Sequence, residues 1–250
     1  MPPASPPVAL VTGAGGHIGP AVVAALVERS FVVAVNDIDE RAARELADSI
    51  DGAVPFAADV SDPDAAARLV EAVHGRVGAV EVLVNGAGIE GPIGSIEDLD
   101  PTDVRRVFDV NVMSVFWLCR AAVPAMKQAR KGRIVNLASG AGLAGGARAS
   151  AYHASKHAVV GLTRSLAREL APYDVAVNAV CPGYVESPMV DRIVQAETQA
   201  TGECVDVVQA IPMGRMADRD EVAATIAFLA RDAPVYMTGS CLVIDGALRA

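Results

Sequence analysis

The strongest constraint on this chain is a repeated alternation. Short runs of Val, Ile, Leu and Ala take turns with longer stretches of helical periodicity along most of its length. The runs are Val8–Thr12, Phe31–Asn36, Ala53–Ala57, Val80–Val84, Arg133–Ala138, Ala176–Val180 and Cys241–Ile244. Most are apolar throughout, which is how strands read when both faces lie under helices. Helical patterns fall near 18–28, 40–49, 62–77, 101–129, 151–171 and 219–231. Strand–helix–strand order repeated in this way predicts an α/β fold: a Rossmann-type, doubly wound parallel sheet of about seven strands with helices on both faces. No linker or composition break interrupts the pattern, so residues 1–250 read as a single domain. The stretch 187–215 is less regular and follows a strand, on the side where open α/β sheets bind ligands. It reads as a substrate lid, with an ordinary pair of surface helices as the alternative.

Composition excludes several classes. Apolar residues make up 52% of the chain and aromatics only 4%, so the core must rest on Ala, Val, Leu and Ile. The net charge is −9, and no Lys/Arg cluster offsets it, which argues against nucleic acid as a partner. The four cysteines form no CxxC pair and have no metal-ligand spacing with a histidine, so no metal is expected and the thiols read as reduced. The start, MPPASPPVAL, has neither a basic nor an apolar signal region, and its prolines suggest an extended lead-in. No uninterrupted apolar run reaches the ~18–20 residues of a membrane span. A cytoplasmic protein without a membrane partner is expected.

The first strand runs into Thr12-Gly13-Ala14-Gly15-Gly16-His17-Ile18-Gly19 and then a helical pattern. Glycines there allow positive φ and a close approach of backbone to a pyrophosphate, while the helix start favours its charge. Gly13, Gly15, His17, Ile18 and Gly19 are therefore expected cofactor contacts. The second strand ends in Asn36-Asp37, at the spacing of an acidic residue that holds an adenosine ribose. A carboxylate there accepts from the 2′-hydroxyl and repels a 2′-phosphate, and no Arg or Lys at 14–17 or 38 compensates. Asp37, with Ile38 beside it, points to NAD over NADP. An N-cap role ahead of the next helix is the alternative for Asp37.

Tyr152 and Lys156 are four apart in a helical stretch and so share a face. Ser139 closes the strand before them. Oxidising an alcohol requires removal of the hydroxyl proton, and a tyrosine with its ordinary value near 10 is too weak a base unless nearby positive charge favours the phenolate. Lys156 and a nicotinamide ring are suited to supply that charge. Ser139 can stabilise the charge that develops on the substrate oxygen. His153 and His157 share the same helix at i,i+4, but no third ligand accompanies them.

These features together resemble the short-chain dehydrogenase/reductase family, in its ~250-residue single-domain branch, over nearly the whole chain from Val8 to Gly246. The family loop is TGxxxGxG; Thr12, Gly13 and Gly19 match it and His17 replaces a glycine. Histidine tolerates left-handed backbone better than most residues, so the loop is expected to survive. Asp59-Val60 resembles the family's adenine contact. Asn85-Gly86-Ala87-Gly88 resembles its NNAG segment, with Gly86 for the second Asn, and gives Asn85, Ala87 and Gly88 as contacts. Pro182-Gly183-Tyr184-Val185-Glu186-Ser187 resembles the segment that holds the nicotinamide, giving Pro182, Gly183, Val185 and Ser187.

The resemblance implies that Tyr152 is general base and acid, that Lys156 also holds the nicotinamide ribose, and that Asn111 is a fourth catalytic member positioning a water beside Lys156. It also implies a homotetramer or homodimer packed through 101–129 and the Tyr-bearing helix. The function it implies is NAD-dependent interconversion of a secondary alcohol and a ketone. Alternatives are an NADPH-dependent 3-oxoacyl-carrier reductase, which Asp37 disfavours, and a non-catalytic nucleotide sensor, which the intact Tyr/Lys pair disfavours. The stretches 89–94, 141–146 and 187–210 are mostly small and apolar, so a small neutral alcohol or ketone is the expected partner. Glu90, Arg148, Tyr184 and Glu186 are candidates for the pocket mouth.

Overall fold

The computed structural model describes residues 6–202 and 204–250. The lead-in expected at 1–5 lies outside them. Seven strands form one sheet: β1 (Val8–Thr12), β2 (Val32–Asp37), β3 (Ala53–Ala57), β4 (Val80–Asn85), β5 (Gly132–Leu137), β6 (Val175–Pro182) and β7 (Cys241–Ile244). Their order is β3-β2-β1-β4-β5-β6-β7, and every neighbouring pair is parallel. The fold is the expected doubly wound Rossmann-type sheet. Each strand lies within two residues of its apolar run, because burial on both faces of the five inner strands makes the run itself the strand.

The side chains of β1 show how the sheet divides two cores. Val8 and Leu10 enter one, with α3 (Pro63–Arg76), α5 (Ser114–Ala129) and α6 (Ser150–Leu170). Ala9 and Val11 enter the other, with α1 (Gly19–Val27), α2 (Glu40–Ser49) and α8 (Arg219–Ala227). All five β1 residues and all eight of β6 are buried, whereas β7, at the edge, is mostly half-buried and exposes Val243. A buried polar chain crosses the first core. Asn85 donates to Asn136 at 2.8 Å, and Asn136 to Thr163 at 2.8 Å. It ties β4 and β5 to α6; a partner lost from such a chain leaves a buried group unpaired, at about 1–3 kcal/mol.

Helix starts follow local chemistry. Asp39, Asp62 and Asp218 cap α2, α3 and α8, and Asp100 caps α4 (Pro101–Phe108). No side chain caps α1.

Two expectations change. The single helix read over 101–129 is α4 and α5 joined by a π-helical turn, Asp109–Met113. This 29-residue stretch is long and apolar enough by length and composition to cross a membrane, but Val107, Val115, Leu118, Ala122 and Met126 are buried in the protein, and Arg105, Arg106 and Asp109 interrupt it. The region 187–215 is also more regular than its pattern. It contains α7 (Pro188–Thr201), capped by Ser187, begun by a proline and closed by Gly202 at φ 74°, then a short 3₁₀ turn at Val207–Ala210. Among the described side chains of α7 only Val190 is buried, which is why no strong apolar stripe marked it as a helix.

Candidate active site

The chain leaves β1 toward one side of the sheet and β4 toward the other, so a crevice opens at their carboxyl ends. Thr12 fastens it: its hydroxyl accepts from the Gly86 and Ala87 amides at 3.2 and 3.4 Å and donates to the Val84 carbonyl at 3.4 Å. The crevice widens into a cavity of about 810 Å³ that includes Asp37, Asp59, Tyr152 and α7 residues in its walls.

The glycine loop fits tightly. Gly13 has φ 63°, and a Cβ there would stand 2.7 Å from Ala87 Cα; a Cβ on Gly19 would overlap the Ala14 carbonyl. His17 is exposed and is not among the residues with positive φ. Its replacement of a glycine therefore strains no backbone, and the tolerance argued from its side chain is not needed. Gly16, His17, Ile18 and Gly19 line the cavity at the uncapped start of α1. Asp37 Oδ2 accepts from the Gly15 amide at 2.9 Å and its Oδ1 from the Asp39 amide at 3.0 Å. The helix cap is Asp39, not Asp37. The wall around Asp37, formed by Ile38, Ala58, Asp59, Val60 and Ser61, carries no Lys or Arg. A nucleotide diphosphate with free ribose hydroxyls fits this donor set and this charge.

On the far side, Ser139 lies two residues past the end of β5, and its hydroxyl accepts from the Ala141 amide at 3.1 Å. Tyr152 stands on the first turn of α6, and Lys156 one turn later, with Nζ 5.6 Å from the Tyr152 ring centre. Lys156 Nζ donates to the Leu137 carbonyl at 2.9 Å. Burial lowers its pKa to about 8, against a small opposing influence of Cys181. The Tyr152 phenol is pushed above its ordinary value, chiefly by burial; the Ser139 hydrogen bond pulls it down and the Glu90 charge pushes it up. In the protein alone, burial outweighs the Ser139 hydrogen bond, and the phenol stays above its ordinary value.

Asn111 lies in the π-helical turn, a feature frequent at functional sites. Its side chain accepts from the Ile89 amide at 2.8 Å and donates to the Ile89 carbonyl at 2.9 Å and to Ser155 at 3.0 Å. A Cβ on Gly88 would lie 3.4 Å from both Asn111 Oδ1 and Lys156 Nζ, so the bare glycine keeps these two groups close to the cavity wall.

The outer wall is charged in pairs. Arg192 on α7 hydrogen-bonds Glu90, which follows β4. Arg148 Nε lies 3.5 Å from Glu197 on α7. The C-terminal turn adds Leu248 and Arg249, with Arg249 paired to Asp245 at 3.4 Å and lying over Gly140.

Among the expected cofactor contacts, Gly13, His17, Ile18, Gly19, Asp37, Ile38, Asp59, Val60, Ala87, Gly88, Pro182, Gly183, Val185 and Ser187 line the one cavity with Ser139, Tyr152 and Lys156. Gly15 and Asn85 do not: the Gly15 amide is turned to Asp37, and Asn85 is buried against Asn136. Of the mouth candidates, Glu90 and Tyr184 line the cavity, while Arg148 and Glu186 do not. Arg192, Leu248 and Arg249 were not singled out from sequence; the Asp245/Arg249 spacing of four was the only local signal. His153 and His157 bond separate backbone carbonyls, of Ala144 and His153. The four thiols are free.

Residues 7–198 match the family described as short chain dehydrogenase. A cyclohexanol dehydrogenase of Acinetobacter sp. (strain SE19) is 38% identical over 244 residues, covering 96% of this chain and 94% of its own. A cis-4-hydroxycyclohexanecarboxylate dehydrogenase of Sinomonas cyclohexanicum is 38% identical over 242 residues, covering 96% and 95%. Among solved structures, an NAD+-bound xylitol dehydrogenase superposes with TM-score 0.92 at 32% identity, covering 96% of this chain and 98% of its own. The chain belongs to the short-chain dehydrogenase family, as an oxidoreductase that acts on alcohols.

Proposed function

We propose that this chain is an NAD-dependent dehydrogenase that interconverts a small neutral secondary alcohol and its ketone, with Tyr152 as general base and acid. The observation that carries the reading is the meeting, in one cavity, of a Ser139–Tyr152–Lys156 set with an Asp37 whose wall neighbours Ile38, Ala58, Asp59, Val60 and Ser61 include no Lys or Arg. When bound, the nicotinamide accepts the hydride in oxidation and returns it in reduction.

The protein's own residues do the rest. Gly13, Gly16–Gly19 and the open start of α1 receive the pyrophosphate, and Asp37 the adenosine ribose. The Asp37 charge disfavours a 2′-phosphate. Pro182, Gly183, Val185 and Ser187 hold the nicotinamide end, with Lys156 on its ribose. Ser139 hydrogen-bonds the substrate oxygen and stabilises its growing charge. Tyr152 takes the hydroxyl proton in oxidation and gives it back in reduction. Because burial raises the phenol, positive charge from the bound ring and Lys156 must bring its ionisation into the working range. Asn111, fixed to Ile89 and Ser155, positions a water beside Lys156 for proton exit.

The wall supports a neutral substrate. Arg192 and Arg249 are each matched by a carboxylate, Glu90 and Asp245, Arg106 adds a third, exposed guanidinium to the lining, and much of the remaining wall is apolar. The cyclohexanol dehydrogenase relative favours an alicyclic alcohol within this class. The 187–215 region acts as the lid. The test is a spectrophotometric panel of cyclohexanol, acyclic secondary alcohols, diols and polyols with NAD+ and NADP+. Turnover of a cyclic secondary alcohol with NAD+ well above NADP+ is expected; equal or better turnover with NADP+ overturns the cofactor reading.

A further inference from the structure

We propose that Arg249, carried on the turn after β7, is a substrate-recognition residue that hydrogen-bonds a second, uncharged oxygen of the alcohol beside Ser139. The preferred substrates are then secondary alcohols with a further hydroxyl, and the matching hydroxyketones. The inference rests on the reading of Ser139 as the group that holds the reacting oxygen, and narrows the substrate class of that same site.

The turn is built to bring this side chain to the cavity. The Ile244 carbonyl accepts from the Gly183 amide at 2.8 Å, and the Gly246 carbonyl from the Met213 amide at 3.2 Å. Two left-handed residues follow one another there, Gly246 at φ 59° and Ala247 at φ 68°. Left-handed backbone is unfavourable for alanine and persists where the surroundings fix it. The Leu248 amide then donates to the Asp245 carbonyl at 3.1 Å, and Leu248 and Arg249 enter the cavity wall.

A glycine receives the guanidinium. A Cβ on Gly140 would stand 2.5 Å from Arg249 Cζ and 2.8 Å from its Nη2, so the missing side chain is what lets the guanidinium lie on this backbone. Gly140 sits between Ser139 and Ala141, and the Ala141 amide donates to the Ser139 hydroxyl at 3.1 Å. Arg249 therefore rests on the same short turn that orients the Ser139 hydroxyl.

Its charge is answered from behind. Asp245, with its side chain 6% exposed and outside the cavity lining, accepts from Arg249 Nη1 at 3.4 Å. A carboxylate on the substrate would meet the Asp245 charge as well as the guanidinium, and the two offset one another. Nε and Nη2 of Arg249 have no partner among the described residues, and the side chain is 27% exposed. A neutral hydroxyl or carbonyl oxygen can accept from these donors. Arg192, by contrast, hydrogen-bonds Glu90 through Nε and is 57% exposed, and Arg106 is an exposed residue of α4.

The test compares kcat/KM with NAD+ for cyclohexanol and for the positional isomers of cyclohexanediol. It uses the parent protein, Arg249→Met, Arg249→Lys and, to separate the other lining cation, Arg106→Gln, with thermal melts of each. In the parent at least one diol should exceed cyclohexanol by about 10–100-fold. That ratio should collapse in Arg249→Met, recover in part in Arg249→Lys and hold in Arg106→Gln. A parent with no preference for a diol, or a ratio that survives Arg249→Met or falls with Arg106→Gln instead, overturns the assignment. Equal losses for cyclohexanol and diols in Arg249→Met, the mark of a merely structural residue, also overturn it. So does a cyclohexanol with a ring carboxylate that outruns every diol, since charge would then be what is read. If the parent oxidises no alcohol, the proposed function fails. Calorimetric binding of the same diols to NADH-loaded parent and Arg249→Met then still decides the role of Arg249.

Discussion

Helices α1 and α7 both begin at the cavity, yet they are built in opposite ways. The start of α1 has no side-chain cap, and the helix buries Gly19, Val22, Val23 and Leu26. The start of α7 is capped by Ser187, and among its described side chains Val190 alone is buried. One helix is fixed by its core face and leaves its start without a side-chain cap, the Gly19 amide turning back to the Gly16 carbonyl and the next residue being a proline. The other satisfies its own end and is attached through Arg192 and Glu197 to the walls. Ion pairs between such half-buried groups gain little net, because desolvating the two charges offsets their attraction, while one fully buried Leu or Val contributes about 1.5–3 kcal/mol. The nucleotide half is therefore preformed, and the lid half is held by interactions weak enough to be exchanged during turnover.

The largest expected effect falls where the two halves meet. Tyr152→Phe should lower kcat by about 10²–10⁴-fold while NADH affinity, followed by fluorescence, barely changes. A parallel loss of affinity would mean that the tyrosine belongs to the binding half.

Lys156→Met should also abolish turnover, but make the protein more stable. Burial depresses the Lys156 pKa from 10.5 to about 8. Folding is therefore opposed by the cost of a buried charge at and below about pH 8, on the order of 3 kcal/mol at 1.36 kcal/mol per pH unit. That cost fades as pH rises from about 8 toward 10.5, where the unfolded lysine is also losing its proton. Thermal melts at pH 7 should show the variant ahead, with its lead shrinking at pH 10. A constant lead would assign the gain to packing.

Asp37→Ala tests the preformed half alone. Loss of a charge-assisted contact to the ribose should cut the NAD+ over NADP+ preference about 10–100-fold, read as a ratio of kcat/KM values, with the preference among alcohols unchanged. The smallest effects come from two glycines of similar φ. Gly13→Ala places a Cβ 2.7 Å from Ala87 Cα at φ 63°, and should destabilise by about 1–3 kcal/mol and weaken cofactor binding. Gly202→Ala, at φ 74° with nothing within 4 Å, carries only the backbone penalty of about 1 kcal/mol and should leave binding intact. Equal losses at both would remove the distinction between a packed loop and a loosely attached lid.

The same contrast governs what was legible in the sequence. Strands β1, β2, β4, β5 and β6 could be read because burial on both faces leaves a nearly continuous apolar run, and β3, at one edge and mostly half-buried, still keeps its short apolar run. Ser139, Tyr152 and Lys156 could be read because a strand end and one helix turn fix them locally. The Glu90–Arg192 pair could not, since its members are 102 positions apart and nothing local links them. Arg249 escaped for a similar reason: the C-terminal turn must fold over Gly140 before it becomes wall. Asn85 resembled a cofactor contact, yet its amide is used inside the core to hold β4 to β5. A residue type at the right position does not disclose which way its side chain turns.

The π-helical turn at Asp109–Met113 has a consequence for engineering. Such a turn holds one residue more than an α-helix needs for the same advance. Deleting a single residue there would allow α4 and α5 to merge into one regular rod with a better hydrogen-bond ladder. It would also rotate everything before the deletion by about 100° relative to α5, and pull the Asn111 amide away from Ile89 and Ser155. Selection for heat resistance alone would tend to remove this extra residue, and selection for turnover would tend to keep it.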